Sequence, residues 1–173
     1  MIKEFNNIFL IGFMGSGKTT LGKKLAKKLN CSFFDLDKEI EKVAVLSVNE
    51  IFENHGETYF RELESKILKS LILNNKNFVL SLGGGTPCYH KNMELINNSG
   101  ISVYLKYNAG ILASRLINAK TKRPLIKNLD ENQLKAFVTE KLTEREAFYN
   151  QAKFVVESNS VRVEDILDLN TTN

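Results

Sequence analysis

The sequence predicts an α/β protein of three layers: a five-stranded parallel sheet flanked by helices, with a mobile lid at one end. Short apolar runs alternate with helix-periodic segments along the chain, the pattern of parallel strands joined by helical crossovers. A glycine-rich stretch follows the first apolar run directly and opens the first helix. A polar, charged stretch at 119–130 interrupts the alternation late in the chain.

Residues 8–12 read as a buried strand. Residues 17–29 follow as a helix, because Leu21, Leu25 and Leu29 recur four apart on one face. Residues 32–35 form a short second strand. Residues 37–75 read as mostly helical, broken near Leu46-Ser47 and at Gly56. Residues 78–82 form a third strand that runs into Gly83-Gly84-Gly85, and residues 101–105 a fourth. Helices are expected at 108–118 and 131–150, a fifth strand at 154–156, and a closing helix at 163–169. In such sheets ligands sit at the carboxyl ends of the strands. Residues 1–173 read as one domain, with acceptor-binding helices at about 37–65 and the lid at about 115–130.

Composition narrows the partners. Hydrophobic residues make up 43% and charged residues 25%, ordinary values for a soluble enzyme. The net charge of +4 suits an enzyme that handles a polyanion. Lys/Arg clusters go no further than pairs such as Lys23-Lys24 and Lys27-Lys28, the solvated face of a helix, so nucleic acid is not expected. Cys31 and Cys88 match no metal pattern and no disulfide framework, which fits a reducing cytoplasm. No basic-then-apolar leader is seen, and no apolar run nears the roughly 20 residues of a membrane span. A cytoplasmic monomer is the expectation.

Gly12-Phe13-Met14-Gly15-Ser16-Gly17-Lys18-Thr19 satisfies G-x-x-x-x-G-K-[ST] in full, between a strand and a helix. Glycines let successive amides turn inward around phosphate oxygens, and the helix adds its positive end. Lys18 is placed to reach the β- and γ-phosphates, and the Thr19 hydroxyl to ligate Mg²⁺. The motif establishes phosphate binding and is silent about the acceptor.

Asp35-Leu36-Asp37 closes the second strand, where period-2 geometry sends both carboxylates to one side. One would serve the metal side and the other an acceptor hydroxyl. Asp37 is equally placed to cap the helix that begins with Lys38. Arg61 either pairs with Glu57 at i,i+4 or forks onto a substrate carboxylate beside Phe60. The triple glycine is either a flexible turn or a place where backbone meets a ligand closely. Ser81 stands where many phosphate-loop enzymes carry an aspartate, which leaves Asp35 more of the metal-side charge. Arg145 is a surface residue unless its helix folds back over the site. The stretch 119–130, with Arg123-Pro124, is a surface connection or a lid that excludes water.

Together these residues resemble shikimate kinase, a family of the nucleoside-monophosphate-kinase-like P-loop kinases. The likeness runs from Gly12 to Tyr149 through Asp35-Leu36-Asp37, Phe60-Arg61, the triple glycine, Arg123-Pro124-Leu125, and Arg145 with Tyr149. It implies transfer of a phosphoryl group from ATP to the 3-hydroxyl of shikimate, in the pathway to aromatic amino acids. On this resemblance Gly15, Ser16, Gly17, Lys18, Thr19 and Thr20 hold the phosphates, and Thr19 and Asp35 hold Mg²⁺. Asp37 binds the shikimate hydroxyls as candidate base. Arg61 and Arg145 clamp the carboxylate, and Gly84 and Gly85 meet the ring through backbone. Arg123 closes onto ATP, and Arg115 packs against adenine. Ala147 stands where the family carries a proline. A gluconate-type kinase is the nearest rival. A GTPase-like switch is disfavoured, because the chain has neither an Asn-Lys-x-Asp nor an Asp-x-x-Gly motif.

Overall fold

A computed structural model describes residues 7–119, 126 and 128–169. The elements are β1 (Asn7–Ile11), α1 (Lys18–Leu29), β2 (Ser32–Asp35), α2 (Leu36–Ala44), α3 (Val48–Asn74), β3 (Phe78–Ser81), α4 (Asn92–Ser99), β4 (Ile101–Lys106), α5 (Ala109–Asn118), α6 (Glu131–Tyr149), β5 (Phe154–Glu157) and α7 (Val163–Leu167). The strands form one parallel sheet in the order β2-β3-β1-β4-β5.

Hydrophobicity explains the order. All five residues of β1 are buried, because a central parallel strand is covered on both faces. Its side chains divide between two cores. Ile8 and Leu10 join Val79, Leu21, Leu25, Leu112 and Val138 on the side of α1, α5 and α6. Phe9 and Ile11 join Leu80, Ile40, Ile51, Phe60 and Leu68 on the side of α2 and α3. The edge strand β5 alternates half-buried and exposed residues.

The break expected near Leu46-Ser47 is present. Val45 turns left-handed after α2, and Ser47 with Glu50 forms a reciprocal capping box at the start of α3. The break expected at Gly56 is present too: its φ of 80° and ψ of 174° are non-helical and kink α3 between two helical segments. Leu82 falls outside β3. Helix α4, and a 3-10 turn at Thr86–Cys88, were not foreseen. Eight residues with three asparagines give too little periodicity to read as a helix. Among the described residues no helix is long and apolar enough to cross a membrane.

The chain leaves β1 toward β3 and β2 on one side and β4 and β5 on the other. The carboxyl ends of β1, β2 and β3 therefore open onto a shared crevice.

Candidate active site

That crevice is a cleft of about 350 Å³. Its lining includes Gly15, Lys18, Thr19, Asp35, Asp37 and Arg115. Gly15 and Gly17 hold φ of 82° and 83°, a left-handed backbone that residues with a Cβ rarely adopt. Gly17 caps α1 with no side chain, and the first turn carries no acid. Nothing acidic in that turn opposes an anion at the helix's positive end.

Lys18 is buried, and its ammonium donates to the carbonyls of Gly12 at 2.7 Å and Phe13 at 3.0 Å. The lysine is thus held against the loop that its motif assigns to phosphate. Thr19 Oγ1 donates to Asp35 Oδ2 at 2.6 Å and lies 3.4 Å from Ser81 Oγ. Oxygen donors alone meet here. Among the described residues, no three His, Cys, Asp or Glu side chains gather into a metal cage. One carboxylate beside a hydroxyl fits Mg²⁺, which keeps several waters and shares its shell with nucleotide phosphates.

The two aspartates do not sit as strand periodicity requires. β2 ends at Asp35, whose side chain accepts from the Lys38 amide and is the cap of α2. Asp37 lies within the first turn of α2 and is not the cap. A helix begun one residue after the strand replaces period 2 with a turn of about 100° per residue. Both carboxylates still line the cleft.

Gly84 and Gly85 form a turn, closed by the Thr86 amide donating to the Gly83 carbonyl at 3.1 Å. None of the three glycines has a left-handed φ. Each instead lies close to a charged side chain. A Cβ on Gly83 would stand 3.1 Å from both Asp37 Oδ1 and Glu64 Oε1. On Gly84 it would lie 3.2 Å from Arg145 Nη1, and on Gly85 only 2.5 Å from Arg61 Nη2. Gly83 and Gly84 face the cleft, whereas Gly85 seats an arginine.

Arg61 keeps its expected partner on the helix and gains a second, unforeseen one. It pairs with Glu57 at 3.3 Å and with Glu64 at 3.0 Å. Phe60 and Tyr89 present ring centroids 5.1 and 4.3 Å from its guanidinium carbon. Burial works against the Arg61 charge, but Glu64, with smaller contributions from Tyr89 and Glu57, raises its pKa above the ordinary value. Helix α6 does fold back: Arg145 lies over the Phe13 ring at 5.4 Å, and the Tyr149 hydroxyl donates to the Gly84 carbonyl. Neither Arg61 nor Arg145 lines the cleft itself; they lie beside Gly85 and Gly84. Arg115 stacks on Tyr107 at 4.2 Å and reaches the carbonyls of Gly15 and Asn159. Arg123, with Pro124 and Leu125 and most of the 119–130 stretch, lies outside the described residues.

Sequence reasoning missed Glu64, Thr86 and Asn92. Glu64 is fully buried and accepts from Thr86 Oγ1 at 2.7 Å as well as from Arg61. Asn92 joins the Thr86 carbonyl to Ser65. The i,i+3 spacing of Arg61 and Glu64 was visible, but nothing local marked that glutamate as interior.

A family model described as shikimate kinase matches residues 14–169. The chain belongs to the shikimate kinase family. A shikimate kinase of Azobacteroides pseudotrichonymphae is 49% identical over 161 residues, covering 93% of this chain and 95% of that protein. One from Flavobacterium johnsoniae is 46% identical, covering 94% and 97%. The crystal structure of the Bacteroides thetaiotaomicron shikimate kinase superposes with TM-score 0.90 at 38% identity, covering 96% of this chain and all of that one. That of Acinetobacter baumannii, in complex with shikimate, gives 0.83 at 32% identity, covering 95% and 90%. Against the shikimate kinase pattern the chain departs at Ala147, yet α6 runs unbroken through it to Tyr149.

Proposed function

We propose that this kinase transfers the γ-phosphoryl group of ATP to the 3-hydroxyl of shikimate, giving shikimate 3-phosphate and ADP. The observation that carries this is the triple glycine. Asp37 lies beside Gly83, Arg145 beside Gly84 and Arg61 beside Gly85, and the cleft that Gly83 and Gly84 line is lined by the phosphate loop as well. Acid and arginines so placed suit a small acceptor bearing both hydroxyls and a carboxylate.

In this reading the loop amides from Gly15 to Thr20 hold the nucleotide phosphates, and Lys18 neutralises charge on the transferring group. Thr19 and Asp35 would hold Mg²⁺, which supplies charge neutralisation at the phosphate oxygens when bound. Asp37 orients the acceptor hydroxyl and takes its proton; a loose transition state asks little of that base early on. Arg61 and Arg145 fix the carboxylate, Gly84 borders the ring, and Gly85 keeps Arg61 in place. The Arg115 side chain bounds the nucleotide end. Arg123 is assigned to the ATP phosphates on the resemblance alone. The protein works as a cytoplasmic monomer, without nucleic acid or membrane.

The test is coupled ADP release with shikimate, gluconate, AMP, CMP and no acceptor. Turnover with shikimate alone is the expected outcome. Turnover confined to AMP or CMP would overturn the assignment.

A further inference from the structure

Two acids bind Arg61, and they differ in kind. Glu64 is interior, with its side chain 1% exposed, and is tied to Thr86 as well. Glu57 is 56% exposed and takes the outer edge of the guanidinium. Three donors converge on one of its oxygens: Arg61 Nε and Nη2, each at 3.3 Å, and the Tyr89 hydroxyl at 3.1 Å. Tyr89 also lays its ring over the guanidinium. The Gly56 kink lies immediately before Glu57. The outer edge of Arg61 is therefore already filled by a carboxylate, and an aromatic hydroxyl holds that carboxylate in place.

We propose that Glu57 is an internal stand-in for the acceptor's carboxylate, held on Arg61 by Tyr89 and displaced when the acceptor binds. This rests on the assignment of Arg61 to the carboxylate clamp. Arg61 is buried and Glu64 takes its Nη1, so an outer edge of Nε and Nη2 left without an acceptor is costly. Exchange of one carboxylate for another never leaves it so. Exposed ion pairs are weak, so an anionic acceptor displaces Glu57 readily. A neutral polyol offers nothing in exchange and leaves Glu57 in place. The pair thus selects for a carboxylated acceptor at some cost in affinity.

The competition has a sign. In the full-length protein, calorimetric titration should show Glu57→Gln binding shikimate about two- to fivefold more tightly than the parent, the range that an exposed pair supplies. Tyr89→Phe keeps the ring but frees Glu57, and should tighten binding by less. Arg61→Ala should weaken it strongly. If Glu57→Gln weakens binding or leaves it unchanged while Arg61→Ala weakens it, Glu57 is no competitor and the stand-in is refuted. If Arg61→Ala leaves binding unchanged, the clamp assignment itself has failed.

Discussion

Gly85→Ala isolates the part of the site that a local reading of the sequence cannot supply. Gly85 has φ −92° and ψ −16°, so alanine fits the backbone without strain and should even gain about 0.4–1 kcal/mol through the unfolded state. The new methyl meets Arg61 broadside, at 2.5 Å from Nη2, 2.7 Å from Nη1 and 2.8 Å from Cζ. The guanidinium must retreat by about 1 Å to reach ordinary contact near 3.5 Å. Retreat is opposed by the Tyr89 and Phe60 rings and by the pair with buried Glu64. A displacement of that size at a clamp costs on the order of 10²-fold, and one lost charge-assisted hydrogen bond about 1.5–3 kcal/mol. The KM for shikimate should rise roughly 10- to 100-fold in the ADP-release assay, with ATP affinity kept, because Gly85 lies off the phosphate cleft. Gly84→Ala is a graded comparison, since its methyl would press on the end of Arg145 at 3.2 Å and make ordinary contact with the Met14 amide at 3.6 Å and the Gly12 carbonyl at 3.7 Å, and should cost less. A folded Gly85→Ala enzyme with a KM within about twofold of the parent would show that Arg61 does not grip the acceptor.

Lys18→Ala should lower turnover by about 10²–10³-fold or more while the fold survives, as checked by circular dichroism; retained turnover would remove Lys18 from the chemistry. Glu64→Ala should cost about 3–5 kcal/mol in denaturant unfolding, because it leaves Arg61 buried beside an absent partner, and a loss below about 1 kcal/mol would contradict the interior pair. Tyr104→Phe should be neutral or stabilising by about 1 kcal/mol, since its buried hydroxyl has no hydrogen-bond partner among the described residues. Burial also holds the hydroxyls of Tyr104 and Tyr149 above the ordinary phenol range. The unfolded chain therefore loses those protons first, near pH 10, while the fold keeps them. Stability should fall as pH rises past 10, by about 1.4 kcal/mol per unit for each group, and Tyr104→Phe should reduce that slope by about one proton.

How much was legible depends on whether an interaction is local. The phosphate loop could be read because strand, glycines and helix follow one another, and backbone conformation is a local property. Both cores could be read from periodicity, since burial on two faces leaves an apolar run. The pairing of Arg61 with Glu57 was visible for the same reason: four residues on one helix. The capping role passed from Asp37 to Asp35 because one hydrogen bond, to the Lys38 amide, settles where α2 begins. Helix α4 escaped because its asparagines earn their place through tertiary contacts, as Asn92 does between Thr86 and Ser65.

By itself the sequence determined that a phosphate-loop motif stands between β1 and α1, and which charged residue types accompany it. Only the tertiary structure decided why three glycines stand in a row. Residues far apart in the chain press Asp37, Glu64, Arg145 and Arg61 against the same few atoms of backbone. A glycine chosen for its torsion angles leaves its mark on its neighbours in sequence. One chosen for the side chain packed against it can be understood only once the chain has closed around it.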